Sequence, residues 1–80
     1  MEDNTIYISI KLFATLNIFL PDEPDSYPLP KGTMVQELIE KLKIPVKDAK
    51  LIFVNSRRVL LTAVLKNGDR VAIFPPVGGG

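Results

Sequence analysis

The chain has 80 residues, 46% hydrophobic and 24% charged, with ten Lys and Arg against nine Asp and Glu. That length fits one small domain, and the apolar share is that of an ordinary folded chain rather than a disordered one. With no Cys and no His, disulfides, thiolate or imidazole metal sites, thiol nucleophiles and His-based acid–base pairs are all excluded. A net charge of +1 predicts no strong attraction to a nucleic-acid backbone. The acidic start Met1-Glu2-Asp3-Asn4 lacks the pattern of a signal peptide, and no run approaches the ~20 apolar residues of a membrane span. The expectation is a cytoplasmic protein with neither a membrane nor a nucleic-acid partner.

From Thr5 to Phe13 the residues alternate, Ile6, Ile8, Ile10 and Leu12 on one face and Tyr7, Ser9, Lys11 and Phe13 on the other. Period 2 with β-branched residues predicts a half-buried strand. Ala14 to Leu20 reads as an irregular turn of helix, and Pro21 to Asp25 as a loop. Ser26 to Pro30 is short, and Pro28 and Pro30 suit only a sheet edge. Thr33, three residues before Gln36, has capping-box spacing, and Val35, Leu38, Ile39 and Leu42 then form one apolar helical stripe. Pro45 ends that helix at or before Ile44.

Lys50 to Val54 predicts a third strand, with Asn55 to Arg58 as its turn and Val59 to Leu61 returning as a fourth. Thr62 to Leu65 reads as a short helical turn, and Asn67-Gly68-Asp69 as a tight turn. Arg70 to Phe74 is the last strand, Val71 and Ile73 facing one way and Arg70, Ala72 and Phe74 the other. This order predicts an α+β fold of β-grasp type, a mixed sheet of four to five strands packed on one main helix. The domain covers residues 1–74, and residues 75–80 form a flexible C-terminal tail. If the first and last strands run parallel at the centre, Phe13 and Phe74 are exposed together where the tail departs. If the faces are reversed, both are core.

Three of the five glycines are the last three residues, Gly78-Gly79-Gly80. Lacking Cβ atoms, they can enter a channel too narrow for other residues. Pro75 and Pro76 cannot extend a ladder and would launch the tail off the sheet. Six extended residues reach up to ~20 Å, enough to carry a carboxylate into a partner's active site. Terminal glycines can also be mere fraying, but fraying does not predict the apolar Pro75-Pro76-Val77 lead-in. Phe13, Phe74, Pro75, Pro76 and Val77 together form a candidate docking patch. Arg58 is either a cation bordering that patch or a solvated turn residue.

The run Gly68-Asp69-Arg70-Val71-Ala72-Ile73-Phe74-Pro75-Pro76-Val77-Gly78-Gly79-Gly80 resembles the C-terminus of the small sulfur-carrying subunit of molybdopterin synthase, of the MoaD/ThiS family. Lys11-Leu12-Phe13-Ala14, Leu29-Pro30-Lys31-Gly32-Thr33 and Val54-Asn55 resemble it too, so the likeness covers nearly the whole chain. Ser56 departs from it, because the family often has Gly after Val-Asn. The resemblance implies a ubiquitin-like β-grasp that is a carrier and not an enzyme, binding no cofactor itself. An E1-like adenylyltransferase of the MoeB/ThiF type would use ATP to adenylate the carboxylate of Gly80. A sulfur donor enzyme would then convert the adenylate to a thiocarboxylate, with Gly78 and Gly79 giving clearance. The large synthase subunit, in a heterotetramer, would take the sulfur to build the dithiolene of the molybdenum or tungsten cofactor. The Val-Gly-Gly-Gly ending also occurs in the related sulfur carrier of thiamine thiazole synthesis. A ubiquitin-like protein modifier, or a binding module with an inert tail, are the other readings.

Overall fold

The middle of the sheet is made by the two strands with the clearest alternation. In the structure, a computed structural model describing residues 4–76, strand β1 spans Thr5–Leu12 and buries Ile6, Ile8, Ile10 and Leu12. Strand β5, Arg70–Phe74, buries Val71 and Ile73. The two run parallel, with Ser9 opposite Arg70 and Leu12 opposite Ile73. Strand β2, Tyr27–Pro30, pairs antiparallel with β1; β3, Leu51–Val54, pairs antiparallel with β5; and β4, Arg57–Arg58, closes the far edge on β3. The order is β2-β1-β5-β3-β4. Both central strands therefore give one row to the core and leave one row uncovered, because successive side chains point to opposite faces.

Helix α1, Val35–Lys41, covers the core face. Val35, Leu38, Ile39 and Leu42 are all buried with the isoleucines of β1. The helix ends where Lys43 takes φ +66°. There the Lys43 N–H donates to the Glu40 carbonyl and the Ile44 N–H to the Ile39 carbonyl. Those two bonds are a Schellman motif, and they stop the helix ahead of Pro45. A 3₁₀ turn over Ala14–Phe19 drops Leu16 into the core as an irregular helical turn. Prolines 28 and 30 sit on the edge strand, where they remove no ladder donor.

Three sequence expectations shift. The capping box does not involve Thr33 and Gln36: the Met34 N–H donates to Glu37 Oε1 at 2.8 Å, and the Thr33 hydroxyl donates to the Pro30 carbonyl at 2.6 Å. The register moves by one residue because Thr33 is drawn inward by that loop bond. Second, Thr62 to Leu65 is not helical. It is a turn followed by an isolated bridge between Met34 and Val64. The Leu61 and Ala63 carbonyls accept the Gln36 and Val35 N–H groups, and Leu65 donates to Thr33. This segment thus satisfies amides that the first helical turn cannot.

Third, the return strand begins at Arg57 rather than Val59, because the turn is only Asn55-Ser56. Both turn residues have positive φ, 54° and 70°, as a two-residue type I′ hairpin requires. The serine is strained there, since a left-handed backbone costs a side chain roughly 1–2 kcal/mol. Ser56→Gly is expected to raise unfolding free energy by about 0.5–1 kcal/mol after the added freedom of the unfolded chain is subtracted, measured by urea denaturation.

Candidate functional site

The uncovered row of the sheet gathers aromatic side chains at the end where β5 leaves it. Phe13 follows β1 directly and Phe74 closes β5; their rings stack with centroids 4.3 Å apart and planes 4° from parallel. Phe53 of β3 meets Phe74 edge-on, 5.7 Å away at 84°. Phe13 is 37% exposed, Phe53 and Phe74 are half-buried, and among the described residues no helix or strand is laid over them. The faces are therefore the ones that expose the phenylalanines, not the reverse.

Phe74 is fixed from both sides. The Phe13 N–H donates to the Ile73 carbonyl and the Lys50 N–H to the Phe74 carbonyl, at 3.2 and 3.0 Å. The next residues, half-buried Pro75 and exposed Pro76, have no N–H with which to continue the ladder. The strand ends on a rigid root at the aromatic group. Val77, Gly78, Gly79 and Gly80 lie outside the described residues.

Next to Phe74 on the same row stands Ala72, level with Lys11 on β1 and Phe53 on β3. Its small side chain leaves an open hollow of ≈ 420 Å³, bordered by Lys11, Phe53, Arg70 and Phe74. Arg70 is held by Asn55: the Asn55 N–H donates to the Arg70 carbonyl at 2.8 Å, and the Arg70 N–H donates to Asn55 Oδ1 at 3.0 Å. Asn55 Nδ2 in turn donates to Asp69 Oδ1 at 2.9 Å.

Pairing sets Arg58 directly opposite Phe53 on the edge strand, and it also lines a second hollow with Lys47, Lys50 and Leu60. Lys11 and Arg70 line the hollow beside the aromatic group. Both were on the correct row by alternation, but nothing in the sequence alone sets them beside a depression. Phe53 was hidden because the run Leu51-Ile52-Phe53-Val54 is apolar throughout, so its two faces look alike. Burial pushes the Tyr27 phenol above its ordinary 10.0, but Tyr27 is on the edge strand, away from this group. Among the described residues, no group of three His, Cys, Asp or Glu could hold a metal ion, and no helix is long and apolar enough to cross a membrane.

A mixed five-stranded sheet with parallel central strands and one covering helix, its last strand ending at an exposed aromatic row, defines a small ubiquitin-like β-grasp carrier. The family is also clear at the level of sequence: this chain belongs to the ThiS family, whose model matches residues 10–80. A Pyrococcus furiosus protein named as subunit 1 of a molybdopterin converting factor shares 31% identity with it, at a TM-score of 0.64 over 90% of this chain and 99% of that one. The HVO 2177 protein of Haloferax volcanii, 20% identical, superposes at a TM-score of 0.78 over 100% of this chain and 92% of that one. SAMP1 of the same organism, also 20% identical, superposes at 0.65 over 91% and 98%. The two 20% likenesses establish the fold. No curated protein sequence matches the chain. The domain is a small carrier of the ThiS/MoaD type, not a catalytic domain.

Stacking of the two rings is testable without a partner. A double-mutant cycle of Phe13→Ala and Phe74→Ala is expected to give a coupling energy of about 0.5–1.5 kcal/mol in denaturant unfolding. A coupling near zero would mean that the rings do not stack in solution.

Proposed function

We propose that the chain is the sulfur-carrying subunit of a molybdopterin-forming synthase, with the sulfur borne as a thiocarboxylate on Gly80. One observation carries the reading: in a ThiS-family chain, β5 is held on both sides up to Phe74 and hands a Pro75-Pro76 lead-in to the glycine run. The 31% identity to the Pyrococcus furiosus protein supports the molybdopterin branch.

The chemistry follows from the carboxylate. An ionised carboxylate is a poor electrophile at neutral pH. Its oxygen attacks the α-phosphorus of ATP on an E1-like adenylyltransferase, and pyrophosphate leaves. A sulfide-equivalent nucleophile from a sulfur donor enzyme then adds to the acyl carbon, and AMP departs with the electron pair of the broken C–O bond. The thiocarboxylate enters the large synthase subunit, which supplies the catalytic groups. Gly78 and Gly79 let the segment pass through a narrow channel. Phe13, Phe74, Pro75, Pro76 and Val77 seat the partner, aromatic anchors being typical of such contacts.

A second reading keeps the chemistry and sends the sulfur to thiamine thiazole. The third glycine of the Val77-Gly78-Gly79-Gly80 ending favours it. Complementation separates the two: the molybdopterin reading expects rescue of a strain lacking the small synthase subunit and none of a strain lacking the thiamine carrier.

With a cognate activating enzyme, ATP and a sulfur source, intact-mass measurement is expected to show one oxygen replaced by one sulfur. Deleting Gly79 and Gly80 should abolish that change while the fold is retained. Sulfur-free product from every cognate activating enzyme would overturn the carrier reading.

A further inference from the structure

We propose that the hollow over Ala72 is a socket for one acidic side chain, a glutamate or aspartate, on the protein that receives the tail. The identity of that protein rests on the carrier reading; the chemistry of the socket does not.

Along β5 the uncovered row reads Arg70, Ala72, Phe74, so the smallest residue lies between a guanidinium and an aromatic ring. Lys11 flanks Ala72 from β1 and Phe53 flanks it from β3. The result is a depression walled by the rings of Phe74 and Phe53, with Lys11, Arg70 and the small polar Ser9 and Ser56 completing its border. Among the described residues no carboxylate borders it, and neither Lys11 nor Arg70 makes an ion pair through its side chain.

That charge arrangement restricts what can cover the site. A partner seated on Phe13 and Phe74 also removes water from Lys11 and Arg70. Burying unpaired cations is costly, and a carboxylate on the partner offsets that cost more fully than a neutral acceptor. A glutamate fits both halves of the socket. Its methylenes lie along the rings of Phe53 and Phe74, and its carboxylate meets the fork of Arg70 and the ammonium of Lys11. The Asn55 bonds hold the Arg70 backbone in place before binding, which lowers the ordering cost. Ala72 sets the depth, since any larger residue fills the floor. With aromatic and cationic ends, the socket also fixes which way round the partner sits relative to the tail.

The test uses the full chain and acetyl-Leu-Glu-Leu-amide as probe, with the glutamine peptide as control. In amide chemical-shift titration the glutamate peptide is expected to move Ser9, Lys11 and Ala72, and the glutamine peptide to bind about tenfold more weakly. Ala72→Leu, a change on the uncovered face that leaves the core intact, should remove the response. Lys11→Gln with Arg70→Gln should make the two peptides equivalent. No response to the glutamate peptide, equal binding of both peptides by the unaltered chain, or an unaffected Ala72→Leu response would each overturn the socket. A separate arm measures ATP-dependent sulfur loading, where Ala72→Leu is expected to raise KM for the carrier about tenfold with kcat unchanged. Complete absence of loading in the unaltered chain counts against the carrier reading and leaves the peptide result to decide the socket.

Discussion

The parallel pairing of β1 with β5 is the contact on which the rest of the molecule depends. It joins residues 9–12 to residues 70–73, so this one contact closes a loop of most of the described chain. Parallel neighbours need a long crossover, and here the crossover contains the helix that covers the pair. Ile10, Leu12, Val71 and Ile73 then close a core against Val35, Leu38 and Ile39. The same pairing brings Phe13 and Phe74 side by side on the other face. Packing and candidate site are thus two sides of one register. A slip of one residue would turn the aromatic row inward and the isoleucines outward.

Such a small core leaves little margin for unsatisfied polar groups. Among the described residues, no buried side-chain nitrogen or oxygen lacks a hydrogen-bond partner. Thr33 is the buried polar residue, and its hydroxyl is bonded to Pro30. The loop from Leu60 to Leu65 contributes as much as a regular element would. Its carbonyls take the free amides at the start of α1, and the Leu65 side chain is itself core.

Legibility in the sequence followed the strength of each local signal. The alternation of Ile6 to Leu12, the stripe of Val35 to Leu42 and the strand Arg70 to Phe74 were readable because period and burial agree there. The exposed pairing of Phe13 with Phe74 was readable because both follow from strand parity. What escaped was set by neighbours distant in sequence. Thr62 to Leu65 reads as a helical turn, but the open amides of α1 draw it into a strap. Thr33 has a capping residue's chemistry, but the Pro30 carbonyl claims it. The hollow over Ala72 could not be seen at all, because a depression exists only once Lys11, Phe53 and Arg70 are drawn around a small side chain.

The two prolines on β2 have a consequence for how this protein meets others. Tyr27 and Leu29 carry the amides that can turn toward β1, so the outward edge at Pro28 and Pro30 presents no N–H to an incoming strand. The opposite edge, β4, is two residues long. Neither border invites the sheet to be continued by another chain. Lateral stacking of the sheet on copies of the same chain is thereby disfavoured, which leaves the uncovered face as the surface open to contact.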